Sequence, residues 1–174
     1  MTKTVLIITS RAEKTVAWQE RERYVQEFCD QVENALENVR VAYTTFRDLR
    51  YEIHNNQARI YDTKNKWDLK EVHLVHFKNW QYEIHEAPVV AHYLMTHGVA
   101  FFNSEVGVPM TSGKLTQMFM LATAGIPVPD TLYATKEQLR TIFAEDSPEK
   151  WLTYPLIMKA EDGSRGDDNY LVHT

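Results

Sequence analysis

Thr4-Val5-Leu6-Ile7-Ile8-Thr9, closed by Ser10-Arg11, is a compact run of branched apolar residues close to the amino end of the chain. Residues of this kind suit a strand buried on both faces, and such strands belong to parallel sheets. The next segment agrees. Between residues 16 and 38, Tyr24, Val25, Phe28, Val32, Ala35 and Leu36 recur at three- and four-residue steps, with Val39 just beyond, and predict a long amphipathic helix. Cys29 falls beside that stripe, where a lone cysteine reads as a small buried hydrophobe. Strand-like pieces follow at 39–46, at 57–61 behind a turn at Asn55-Asn56, and at 71–77. A helix over Glu86–Thr96 tolerates Pro88 in its first turn and stops at Gly98, and 99–102 makes another buried strand. Strands alternating with helices predict an α/β fold, a parallel doubly wound sheet over residues 1–104.

Past a linker at 105–111, which holds Gly107 and Pro109, the pattern changes. A helix is expected from 112 to 124, with Leu115, Met118, Phe119 and Ala122 inward and a stop at Gly125 and Pro127. Then come a strand at 131–133, a helix near 136–143, a strand at 156–160, a polar loop at 161–168 and a strand at 170–173. Residues 112–174 therefore read as a second, α+β region.

Composition narrows the function classes. The 174 residues are 44% hydrophobic and 25% charged, ordinary for a globular chain, and one cysteine excludes both disulfides and a cysteine zinc cluster. Nineteen Lys and Arg against 24 Asp and Glu give a net charge of −5, with no footprint for nucleic acid or an anionic membrane. The run at 5–8 is too short for a secretory or membrane-spanning segment, so a cytoplasmic protein is expected.

The residues richest in chemistry run from Pro155 through Leu156-Ile157-Met158-Lys159 to Gly163-Ser164-Arg165-Gly166 and Tyr170. Alternation sets Leu156 and Met158 on one face and Ile157 and Lys159 on the other. A lysine among apolar strand residues needs a partner or a path to water. Gly163 and Gly166 let backbone amides turn toward a phosphate, and Ser164 adds a hydroxyl. Local features alone read first as a plain hairpin loop with a snorkelling lysine, and second as phosphate binding.

Ser112-Gly113-Lys114-Leu115 is the second such place. Lys114 in a first helical turn opposes the helix dipole, which reads either as an exposed lysine at negligible net cost or as a local misfit that an anionic ligand would explain. Gly107 through Lys114 is no Walker loop, because five residues rather than four separate its glycines and Leu115 replaces the hydroxyl residue. His73, His76, His85, His92 and His97 form no metal set, and the carboxylates of 161–168 do not follow an EF-hand. Ser10 and Arg11, and Asn79 and Trp80, follow two strands where an open α/β sheet lines its ligand crevice, and they read equally as a rim of ordinary loop residues.

Taken together, Ser112-Gly-Lys-Leu-Thr-Gln-Met-Phe, Ala124-Gly-Ile-Pro-Val-Pro-Asp-Thr-Leu, Pro155-Leu-Ile-Met-Lys and Gly163-Ser-Arg-Gly resemble the ATP-grasp superfamily. The closest likeness is to its carboxylate–amine ligases, among them ribosomal-protein glutamate ligases and glutathione synthetases. Specific motifs cover about residues 100–174, and 1–104 is similar in shape to the α/β domain that precedes ATP-grasp. The resemblance implies that Lys114, Lys159 and the loop of Gly163, Ser164, Arg165 and Gly166 contact ATP. Ser10, Arg11, Asn79 and Trp80 would then lie toward a small-molecule or peptide carboxylate substrate. It also implies a magnesium ion and an acyl-phosphate attacked by an amine or thiol. The family's magnesium carboxylates and catalytic arginine lie beyond the stretch matched here. The chain therefore reads as the N-terminal portion of a ligase, inactive alone, with a homodimer as one consequence of uncovered apolar surface. A non-catalytic nucleotide-binding or protein-interaction module is the alternative.

Overall fold

The computed structural model describes residues 2–10, 16–78, 83, 85–103, 106, 114–144, 151–159 and 169–173, apart from the side chains of 16–19, 21, 114 and 144. In chain order the elements are β1 (Lys3–Thr9), α1 (Val16–Ala35), β2 (Val39–Thr45), β3 (Leu49–His54), β4 (Gln57–Asp62), β5 (Trp67–Asp68), β6 (Leu74–Lys78), α2 (Glu86–Thr96), β7 (Ala100–Phe102), α3 (Lys114–Thr123), β8 (Thr131–Tyr133), α4 (Lys136–Ala144), β9 (Leu156–Lys159) and β10 (Asn169–Val172). They make a mixed α/β fold.

A parallel sheet runs in the order β2-β1-β6-β7, with β1 central. Its two faces are covered differently. Ile7, Val41 and Tyr43 meet Val25 and Cys29 of α1 in one apolar cluster. Leu6, Ile8, Val75 and Phe77 on the opposite face join the main core with α2 and with Leu115, Phe119 and Ala122 of α3. That alternation along β1 explains why the opening run is apolar throughout.

The parallel arrangement expected for all of residues 1–104 is corrected by residues 49–68. Here β3, β4 and β5 form a second, antiparallel sheet, in the order β5-β4-β3-β8. The cause is local. Asn55 and Asn56 both take positive φ, 49° and 58°, which turns the chain back on itself in two residues rather than sending it across a helix. β8, from beyond the expected linker, pairs antiparallel with β3, Tyr133 beside Tyr51. The strand expected at 71–77 starts later, at Leu74, because residues 69–71 form a 3-10 turn whose Lys70 N–H donates to the Asp68 side chain.

Helix ends follow the sequence signals. After α2, Gly98 sits at φ 69° and the Val99 N–H donates to the Leu94 carbonyl over 2.9 Å. After α3, Gly125 at φ 76° does the same, with Ile126 N–H reaching Leu121. Thr135 and Gln138 cap α4 reciprocally, each accepting from the other's backbone N–H. β9 and β10 form an antiparallel hairpin in which Lys159 pairs with Asn169 and Met158 with Tyr170. No helix among the described residues is long and apolar enough to cross a membrane.

Candidate functional site

At the carboxyl ends of β1 and β6 the connections depart to opposite faces of the parallel sheet, α1 over Ile7 and α2 over Leu6 and Ile8. A reversal of this kind opens a crevice between the two strand ends, the usual ligand position of an open α/β sheet. Ser10 continues β1 into it and is buried, as is Thr9. Lys78 ends β6 directly beside Thr9 in the register. Its ammonium lies 5.2 Å from the Tyr24 ring centre and 5.7 Å from that of Phe28, both on α1. No ion pair joins Lys78 to a carboxylate among the described residues. Behind it, the Asn103 amide donates to the Phe77 carbonyl over 2.7 Å and fixes the exit of β7 against β6. Arg11, Asn79 and Trp80, expected at the same place, lie outside the described residues.

Neighbouring groups on this edge are already satisfied. Lys64 Nζ stands 3.1 Å over the Tyr43 ring and 3.9 Å from Glu22, and burial lowers its pKa. The Tyr43 hydroxyl donates to Glu22 over 2.8 Å, and burial with that bond pushes its own pKa up. Asp62, fully buried, accepts from Thr44, from the Asn65 side chain and from the Lys64 and Asn65 backbone, yet desolvation still raises its pKa. His76 faces the same side as Lys78; burial, then the charge of Lys78, lowers its pKa and favours the neutral ring.

The residues expected at a nucleotide lie elsewhere in the chain. Lys114 opens α3, with its side chain outside the description, and Lys159 closes β9, exposed to solvent. Gly163, Ser164, Arg165 and Gly166 also lie outside the described residues. Both hairpin faces carry exposed apolar side chains: Ile157 and Leu171 on one, Met158 and Tyr170 on the other.

Sequence reading missed two groupings. Lys78, Tyr24 and Phe28 come together only through the pairing of β6 with β1 and the packing of α1. The signal for them was the lysine closing the 71–77 run, one position before Asn79. The second grouping is a buried ionic network on the antiparallel sheet. Arg50 Nε meets Glu52 at 2.6 Å, Arg59 Nε meets Asp68 at 3.1 Å, and the Tyr93 hydroxyl donates to Asp68 over 2.8 Å. Its charges pair with one another, which suits a structural role. No group of three or more His, Cys, Asp or Glu among the described residues could hold a metal ion. Compared with family models, with curated proteins and with solved structures, the chain matches none.

Proposed function

We propose that the chain is the N-terminal portion of an ATP-dependent carboxylate–amine or carboxylate–thiol ligase. The observation that carries this reading is the β9–β10 hairpin. Lys159 ends one strand opposite Asn169, and residues 160–168, with Gly163, Ser164, Arg165 and Gly166, join the two. A cation at a strand end beside a glycine-containing connection suits a polyphosphate, which asks for fixed positive charge and turned backbone amides. Lys114, at the start of α3, adds a second cation at a helix N-terminus. When bound, ATP would supply the phosphoryl group that activates a carboxylate as an acyl-phosphate for attack by an amine or thiol. The described carboxylates offer no magnesium set, so magnesium is assigned to none of them.

Nucleotide titration tests the reading. Lys159→Ala and Lys114→Ala should each weaken ATP binding by about 1.5–3 kcal/mol, the worth of one charge-assisted contact. Lys159→Arg should restore little, because a broad fork does not replace a compact charge. Unchanged affinity in both alanine variants would remove the assignment. One observation favours the second reading, a protein-interaction module: Ile157, Met158, Tyr170 and Leu171 are each more than half exposed, at 65%, 53%, 58% and 60%.

A further inference from the structure

We propose that the strip α1 leaves open over β6 and β7, beside the carboxyl end of β1, binds a carboxylate with an aromatic or aliphatic body, and that Lys78 anchors its charge. As a substrate site it rests on the ligase reading; as a binding site it stands on the geometry of the parallel sheet.

Register supplies the first step. In a parallel pair, facing residues project to the same side, so Lys78 and His76 share the α1 face with Thr9 and Ile7, and Phe102 stands beside His76. α1 covers β1 and β2 on that face but leaves a strip over β6 and β7 open. Its margins show the gap: Tyr24 is 62% exposed, Phe28 39% and Phe102 57%. The sequence carries the same mark, because the apolar stripe of α1 is wider than the sheet it covers. Val25 and Cys29 are buried against the sheet, while Tyr24 and Phe28 look past it toward Lys78.

Charge supplies the second. Lys78 is half-buried at the head of this strip, with two aromatic rings of α1 at cation–π range. A partly desolvated ammonium gains from an incoming anion, and a charge-assisted hydrogen bond is worth more there than at an open surface. The rest of the strip selects the body of the ligand. His76 is held neutral by burial and by Lys78, and its ring meets Phe102 edge-on at 5.9 Å. The described lining therefore offers one positive charge followed by an apolar, aromatic floor. That matches a monoanion with an apolar group, whereas a phosphate dianion would call for several donors.

N-acetyl-L-phenylalanine is the probe, with its neutral primary amide as control, titrated by two-dimensional amide NMR. The acid should shift Phe28, Lys78 and Phe102 saturably. Lys78→Gln should weaken it about tenfold or more, Lys78→Arg should keep most of it, and the amide should bind the wild type as poorly as the acid binds the glutamine variant. Equal affinity for acid and amide, or an unchanged Lys78→Gln, overturns the site. The acid–amide comparison on wild type still decides if Lys78→Gln does not fold. Loss of nucleotide binding in the Lys114 and Lys159 variants bears on the nucleotide reading and not on Lys78. Unchanged nucleotide affinity there, with Lys78-dependent acid binding intact, removes the ligase reading and leaves the site. The reverse pattern removes the site alone.

Discussion

Burial beneath α1, with Asp30 adding its charge, pushes the Cys29 thiol up to about 11. At neutral pH it is a protonated, enclosed hydrophobe, and the thiolate is the reactive species. Ellman's reagent should therefore leave Cys29 untouched in the native chain and titrate one thiol in urea. Rapid native labelling would show that the α1 face opens. The same shift sets a pH dependence. The native state holds this proton more tightly than the unfolded chain, whose cysteine ionises near 8.5. The stability so gained is complete below about 8.5 and is lost as pH rises toward about 11. A Cys29→Ala chain should lack that part of the alkaline decline. Cys29 was legible because its position on the helical stripe is local information. Lys78 was not, since what surrounds it depends on a strand and a helix far away in sequence.

The antiparallel sheet shows the same division at the level of elements. Leu49, Tyr51 and Ile53 alternate with Arg50, Glu52 and His54, a strand pattern of period two that sequence reading passed over. Its charged side would ordinarily face water, but Arg50 and Glu52 are buried, at 4% and 6% exposure, and the Trp151 ring tilts against that of neighbouring His54 at 4.6 Å. β5, two residues long, has no periodicity to read. The turns around it do carry signals. Lys66 takes φ 63° while its N–H donates to the Asp62 carbonyl over 2.9 Å, a left-handed conformation that costs a lysine about 1–2 kcal/mol. Glycine adopts it freely but loses about 0.5–1 kcal/mol more backbone entropy on folding. Lys66→Gly should therefore stabilise the chain by roughly 0.5–1 kcal/mol, read as a higher urea midpoint at unchanged slope. A lower midpoint would mean that the lysine side chain stabilises the β4–β5 turn.

Across the whole molecule, the pairing of β8 with β3 ties together regions that sequence composition separates at 105–111. Nothing local in Thr131–Tyr133 announces a partner some eighty residues earlier, because the pairing is a long-range tertiary contact that three residues do not encode. Tyr51 shows how the two regions depend on each other: its ring meets Phe119 of α3 at 6.1 Å and Tyr133 of β8 at 5.5 Å, both edge-on. Leu115 and Phe119 are buried in the same core, at 7% and 1% exposure. Burying each contributes about 1.5–3 kcal/mol, and each aromatic pair about 0.5–1.5 more. The total is a large part of the roughly 5–15 kcal/mol that holds a domain together. A chain cut after residue 111 should then show no cooperative thermal transition by circular dichroism. A chain cut after residue 155 loses only the hairpin, whose central side chains are exposed on both faces, and should melt within a few degrees of the full chain. If residues 1–111 melt cooperatively by themselves, α3 and β8 are additions to a finished domain. If the cut at 155 abolishes the transition, the β9–β10 hairpin supports the core by contacts beyond those seen at its described residues.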